Sequence, residues 1–100
     1  MNPIEINTTE IFKLCKNYKV KNLYVFGSVL TDKFNSESDI DFVVDFQNLN
    51  VLDYADNYFD LKFALEKILN RPIDLLEEKA IKNPYLLQSI NQKKKLIYGD

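Results

Sequence analysis

The stretch DIDFVVDF, residues 39 to 46, does most to narrow what this chain can become. Its apolar and acidic residues alternate with a period of two. In a strand, Ile40, Phe42, Val44 and Phe46 then share one face, while Asp39, Asp41, Val43 and Asp45 share the other. The first face is expected in a core and the second as a carboxylate-lined surface. Like charges set side by side need a cation or some other reason to be tolerated, so the surface is where chemistry is to be sought.

The flanking segments supply the rest of a layered fold. NTTE at 7 to 10 matches a capping box, with Asn7 accepting from the backbone of Glu10 and Glu10 reaching back, and it opens a helix over about 8–18. Cys15 falls on the apolar face of that helix with Ile11, Leu14 and Tyr18, a core position. KNLYVFGS reads as a short strand ending at Gly27, whose missing Cβ suits a tight turn or a close approach of backbone to ligand. From 51 to 69 a helix is expected, with Asn50 as its N-cap and a stripe of Tyr54, Tyr58, Leu61, Leu65 and Ile68 at steps of three and four. A second apolar edge, Leu52, Phe59 and Phe63, either widens the core-facing stripe or forms a patch for a partner. Asn70-Arg71-Pro72 ends that helix, and PIDLLE gives a third strand with Asp74 and Leu76 opposite Ile73 and Leu75. Asn83-Pro84 is an N-cap followed by an N1 proline, opening a last helix through about residue 95. The order of elements predicts an α/β fold of mixed α+β character, a short mixed sheet of three or four strands flanked by helices, in one domain over residues 1–100.

Composition removes several classes of function. A formal net charge of −2 offers no cationic excess for a phosphate backbone, so no direct nucleic-acid partner is expected. The one basic run, Lys93 to Lys95, reads as a solvated last helical turn whose cations suit the helix dipole. A lone cysteine cannot form an internal disulfide and agrees with a reducing compartment. With no leader-like N-terminus and no apolar run of membrane-spanning length, a cytoplasmic location away from membranes is expected. The absence of histidine excludes a Ser-His-Asp triad, a Cys-His pair and the usual zinc ligand sets, leaving carboxylates, tyrosine or lysine for proton transfer.

Two aspartates at one strand's head then become the candidates. Their Cα atoms, two residues apart, lie about 6.6 Å from each other, close enough for both carboxylates to reach one or two divalent cations. All-oxygen ligands of this kind suit Mg²⁺, which typically shares its coordination between one or two carboxylates and substrate phosphates. Asp45 has the same parity but sits about 13 Å from Asp41 on the same rise, too far to share an ion. Ten residues upstream, Gly27-Ser28 follows a strand, where exposed backbone N–H groups and a hydroxyl can hold phosphate oxygens. GSVLTDK lacks the second glycine and Lys-Ser or Lys-Thr of the NTPase phosphate loop. Asp74, on another apolar strand, can bring a third carboxylate to the site.

The spacing Gly-Ser, ten residues, Asp-x-Asp resembles the minimal nucleotidyltransferases (MNT domains) of the polymerase-β-like superfamily. The likeness runs from YVFGSVLTDKFNSESDIDFVV through RPIDLLEEKAIKNPYLLQSI. The resemblance implies a polymerase-β-like nucleotidyltransferase fold, with Gly27 and Ser28 contacting a triphosphate and Asp39, Asp41 and Asp74 as the catalytic, metal-binding carboxylates. Many relatives carry an arginine soon after the Gly-Ser; here the segment is VLTDKF, and Lys33 can stand in as a nucleotide-binding point charge. The activity implied is Mg²⁺-dependent transfer of AMP from ATP to a hydroxyl. MNT proteins of this kind resemble antitoxins that act with HEPN-domain ribonuclease toxins, so the implied acceptor is a toxin tyrosine and the implied assembly a homodimer or hetero-oligomer. Two other readings remain: an antitoxin with a weak or inactive site that neutralises its partner by binding, and an enzyme modifying a small molecule such as an aminoglycoside.

Overall fold

The computed structural model describes residues 3–35 and 37–99. A single turn, α1 (Pro3–Ile6), leads into α2 (Thr8–Asn17), β1 (Val20–Phe26), a 3-10 turn over Gly27–Leu30, and β2 (Ile40–Phe46). There follow α3 (Val51–Leu69), β3 (Ile73–Glu77), a second 3-10 turn over Glu78–Ala80, α4 (Pro84–Lys93) and β4 (Lys95–Tyr98). The strands form one sheet in the order β3-β2-β1-β4. β1 runs antiparallel to both β2 and β4, whereas β2 and β3 are parallel. A parallel pair cannot be closed by a hairpin, and α3 supplies the crossover that it requires.

The alternation in β2 is realised in space. Ile40, Phe42, Val44 and Phe46 join Val20, Leu23 and Val25 of β1 and Ile73 and Leu75 of β3 in one core, together with Ile11 and Cys15 of α2 and Leu61, Leu65 and Leu69 of α3. Each fully buried side chain of this size contributes roughly 1.5–3 kcal/mol. β2, with Ile40, Phe42 and Val44 sealed from solvent, is therefore a firm base for whatever its other face carries.

That other face is only partly the carboxylate surface expected. Val43 is fully buried and lies outside the main core cluster. It pairs in register with Tyr24, over whose ring the Lys94 ammonium sits at 3.9 Å while also lying 3.8 Å from Glu78. The end of α4 thus covers the middle of this face. Lys94 is accordingly not part of a solvated helical turn: the helix stops at Lys93 and Lys95 begins β4, which satisfies the free edge of β1.

Helix ends follow the local chemistry except at one place. Asn50 accepts from the Leu52 N–H at 3.0 Å, and Asn83 accepts from the N–H groups of Tyr85 and Leu86 at 2.9 and 3.2 Å. Asn70 closes α3 in the left-handed conformation. The capping box at Asn7 does not form. Because α1 precedes it, the Asn7 side-chain amide donates instead to the Pro3 carbonyl at 2.8 Å, which also accepts from the Asn7 backbone N–H at 3.2 Å.

α3 also settles the fate of its second apolar edge. Leu61, Leu65 and Leu69 fill the one side that a helix can lay on a sheet, and Leu52, Phe59 and Phe63 are left 86%, 47% and 58% exposed. The same helix protects β3, an outer strand. The Tyr58 hydroxyl donates to the Leu75 carbonyl, and the Glu66 carboxylate accepts from the Ile73 N–H at 3.2 Å. Two of the outward backbone groups of the residues flanking Asp74 are thereby satisfied.

Candidate active site

The site is assembled from the ends of β1, β2 and β3. Phe26, the last residue of β1, pairs with Asp41, so the chain turns at Gly27 directly against that carboxylate. Gly27 has φ +85°, and a Cβ there would lie 2.5 Å from Asp41 Oδ2. Both the backbone conformation and the contact demand glycine. Beyond it, Ser28 offers its carbonyl to the N–H and the hydroxyl of Thr31, each at 2.9 Å, and the Thr31 hydroxyl accepts from the Lys33 N–H at 3.2 Å. The Gly-Ser turn is thus folded on itself rather than left open.

Asp41 is in register with Asp74 in the parallel pair, so the two side chains emerge from the same face of neighbouring strands. Burial, then the hydrogen bond with Asp74 and its charge, then the charge of Asp39, push the Asp41 carboxyl from its usual 3.8 up to about 6. Carboxylates crowded in this way are candidates for a functional site. Asp39, exposed just before β2, approaches the pair through its charge. Tyr58, hydrogen-bonded beside Asp74, has its phenol raised by burial and by the charge of Asp74.

The expected residues therefore divide. Gly27, Asp41 and Asp74 are brought together, Asp39 stands at their edge, Ser28 continues the turn, and Lys33 is exposed on the following loop. Among the described residues no three carboxylates form a ready-made ion cage. The donor set nonetheless fits Mg²⁺: every candidate ligand atom is a carboxylate oxygen, and the carboxylates of Asp41 and Asp74 already meet side by side. A cavity of about 360 Å³ adjoins the turn, lined by Gly27, Leu30, Thr31 and Lys93. Sequence reasoning missed Lys93 as a neighbour of the glycine, since nothing in a helical Lys run reports which loop it will face. It also missed Arg71, whose guanidinium binds the loop leading to Asp39.

Residues 9–100 match the family model described as polymerase beta, nucleotidyltransferase. The chain belongs to the polymerase-β-like nucleotidyltransferase family. "Putative protein adenylyltransferase MJ1379" of Methanocaldococcus jannaschii is 42% identical over 75 residues, which cover 75% of this nucleotidyltransferase and 74% of the relative. Among solved structures, a "putative minimal nucleotidyltransferase" superposes with a TM-score of 0.73 or better, namely 0.77, at 25% identity, over 95% of each chain. A toxin-antitoxin structure with AMP-PNP superposes with a TM-score of 0.73 at 25% identity, over 94% of this chain and 74% of that one. The mixed four-stranded sheet of this nucleotidyltransferase is the fold that these likenesses share.

Proposed function

We propose that the chain is a Mg²⁺-dependent nucleotidyltransferase that moves AMP from ATP to a hydroxyl, a tyrosine of a HEPN-type toxin, and so acts as the antitoxin of a pair. The observation that carries this is the in-register meeting of Asp41 and Asp74 against Gly27, with Asp39 close enough to raise the proton affinity of Asp41. A relative solved as a toxin-antitoxin with AMP-PNP, and curated relatives named as protein adenylyltransferases, support the nucleotide and the kind of acceptor.

Asp39, Asp41 and Asp74 would hold Mg²⁺. When bound, the ion neutralises the triphosphate and the charge that develops as pyrophosphate departs. The Gly27-Ser28 turn offers backbone and hydroxyl donors to phosphate oxygens, with Lys93 across the adjoining cavity and Lys33 on the loop as cations. Asp74 receives the proton of the acceptor hydroxyl as that oxygen bonds to the α-phosphorus and the bond to the β-phosphate oxygen breaks.

Incubation with Mg²⁺, each NTP and the product of the neighbouring gene, followed by intact-mass measurement, tests the reading: an AMP adduct on the partner is expected, lost in Asp39→Asn with Asp41→Asn. A tight complex that never acquires a nucleotide would instead favour neutralisation by binding alone, a reading that the exposed Leu52, Phe59 and Phe63 also suit.

A further inference from the structure

Arg71 lies outside every motif discussed so far, yet its side chain joins the two segments that carry the outer carboxylates. It stands just before β3, three residues ahead of Asp74. Its Nη1 donates to the Ser38 carbonyl at 2.9 Å and to the Asn35 carbonyl at 3.2 Å. The guanidinium carbon sits 4.6 Å from the centre of the Phe34 ring, and its Nε is buried with no hydrogen-bond partner among the described residues. The loop is shaped to receive it: Asn35 Oδ1 accepts from the Glu37 N–H at 2.8 Å, and Ser38 Oγ accepts from the Asn35 N–H at 3.1 Å. These bonds close a small turn whose carbonyls converge on one cation. Asp39 follows immediately, and the next residue, Ile40, donates its N–H to the Pro72 carbonyl at 3.5 Å. Asp39 is therefore held between an anchor at Arg71 and another at Pro72, both on the approach to β3.

We propose that Arg71 is a positioning residue that clamps the Asp39 arm onto the Asp74 strand and thereby sets how tightly the three carboxylates take a divalent cation. The inference rests on the reading of those carboxylates as a metal–nucleotide site. Asp39 belongs to no strand and is exposed, so the sheet holds it from the Ile40 side and leaves its N-terminal side to Arg71. Holding it loosely would make each binding event order the arm first. A planar guanidinium suits the task because its donors are held in a fixed geometry while its carbon lies over the Phe34 ring, whereas an ammonium is a point charge whose donors rotate freely. Its charge is spent on neutral carbonyls and an aromatic face rather than on the carboxylates, so it orients Asp39 without competing with the cation for it.

The test uses the full chain with Arg71→Lys, which keeps the charge, and Arg71→Gln, which keeps a planar donor without it. Amide hydrogen exchange over residues 37–40 is measured without metal, and Mn²⁺ uptake is followed by electron paramagnetic resonance in the presence of AMP-PNP. Both variants are expected to exchange faster over that segment and to bind Mn²⁺ roughly tenfold more weakly, the loss typical of removing a group that orients metal ligands. Unchanged exchange, or an unchanged Mn²⁺ dissociation constant in a folded variant, overturns the clamp. If the unaltered chain takes up Mn²⁺ and AMP-PNP, and Asp39→Asn abolishes this while Arg71→Lys does not, the clamp alone is wrong. No uptake by the unaltered chain removes the site reading and the clamp with it.

Discussion

Replacing Asp41 by asparagine should make the metal-free protein more stable at neutral pH while destroying its proposed chemistry. The amide keeps the shape and a hydrogen bond to Asp74 but removes a charge disfavoured by burial and crowded by Asp74 and Asp39. A carboxyl raised from 3.8 to about 6 corresponds to ~3 kcal/mol if the pair were sealed from water. Asp41 is only partly buried, and solvent screening reduces this to roughly 1 kcal/mol. The sign follows from the proton balance. The folded state binds this proton more tightly than the unfolded chain, so the contribution to stability is intact below pH 4, is lost as pH rises from about 4 to 6, and stays lost above. Urea and thermal unfolding of both proteins from pH 4 to 8, in EDTA, reads this directly. Asp41→Asn should melt higher by about 4–8 °C at pH 7, the shift that 1 kcal/mol produces in a domain near this size, and its advantage should vanish at pH 4. Other carboxylates titrate in the same range, so the difference between the two proteins is the relevant quantity. An Asp41→Asn protein less stable than its parent at pH 7, or one whose advantage does not shrink on acidification, would refute the argument that the carboxylates repel.

Gly27→Ala should cost roughly 1–3 kcal/mol from the positive φ and, by forcing Asp41 Oδ2 aside, should weaken AMP-PNP binding measured by calorimetry; normal binding would mean that the turn does not touch the site. Phe59→Ser with Phe63→Ser should change unfolding free energy by less than about 1 kcal/mol, since both rings are half exposed, but should reduce complex formation with the neighbouring-gene product on size-exclusion chromatography. Cys15, fully buried with its thiol pushed up to about 12 by burial, should react with a disulfide reagent only at the rate of unfolding, so fast labelling of the folded chain would contradict the core placement.

Local chemistry made some of this molecule legible before any coordinates. The core face of β2, the caps at Asn50 and Asn83, and the end of α3 before Pro72 depend on neighbours within a few residues, and they stand where the pattern put them. The candidate site was legible as far as its motif reaches, because Gly27 follows the last residue of β1 and Asp41 pairs with that residue from the start of β2. Failures came where two local options were equally good. Asn7 could cap its own helix or the turn before it, and Lys94 and Lys95 could extend a helix or begin a strand; the preceding α1 and the vacant edge of β1 decided. The helical period of α3 likewise marked a second apolar edge, Leu52, Phe59 and Phe63, without saying whether it joins the core-facing stripe or stays exposed.

What the amino-acid order determined by itself, then, was α2, the first three strands, α3, the start of α4, and the strand face on which Asp41 stands. Only the tertiary structure brought Asp74 into register with Asp41, set Lys93 across a cavity from Gly27, and ran the Arg71 side chain into the loop before Asp39. The physical reason is range. Periodicity and capping act through bonds a turn or two long, whereas strand register and side-chain docking between distant segments are chosen by burying the whole core at once.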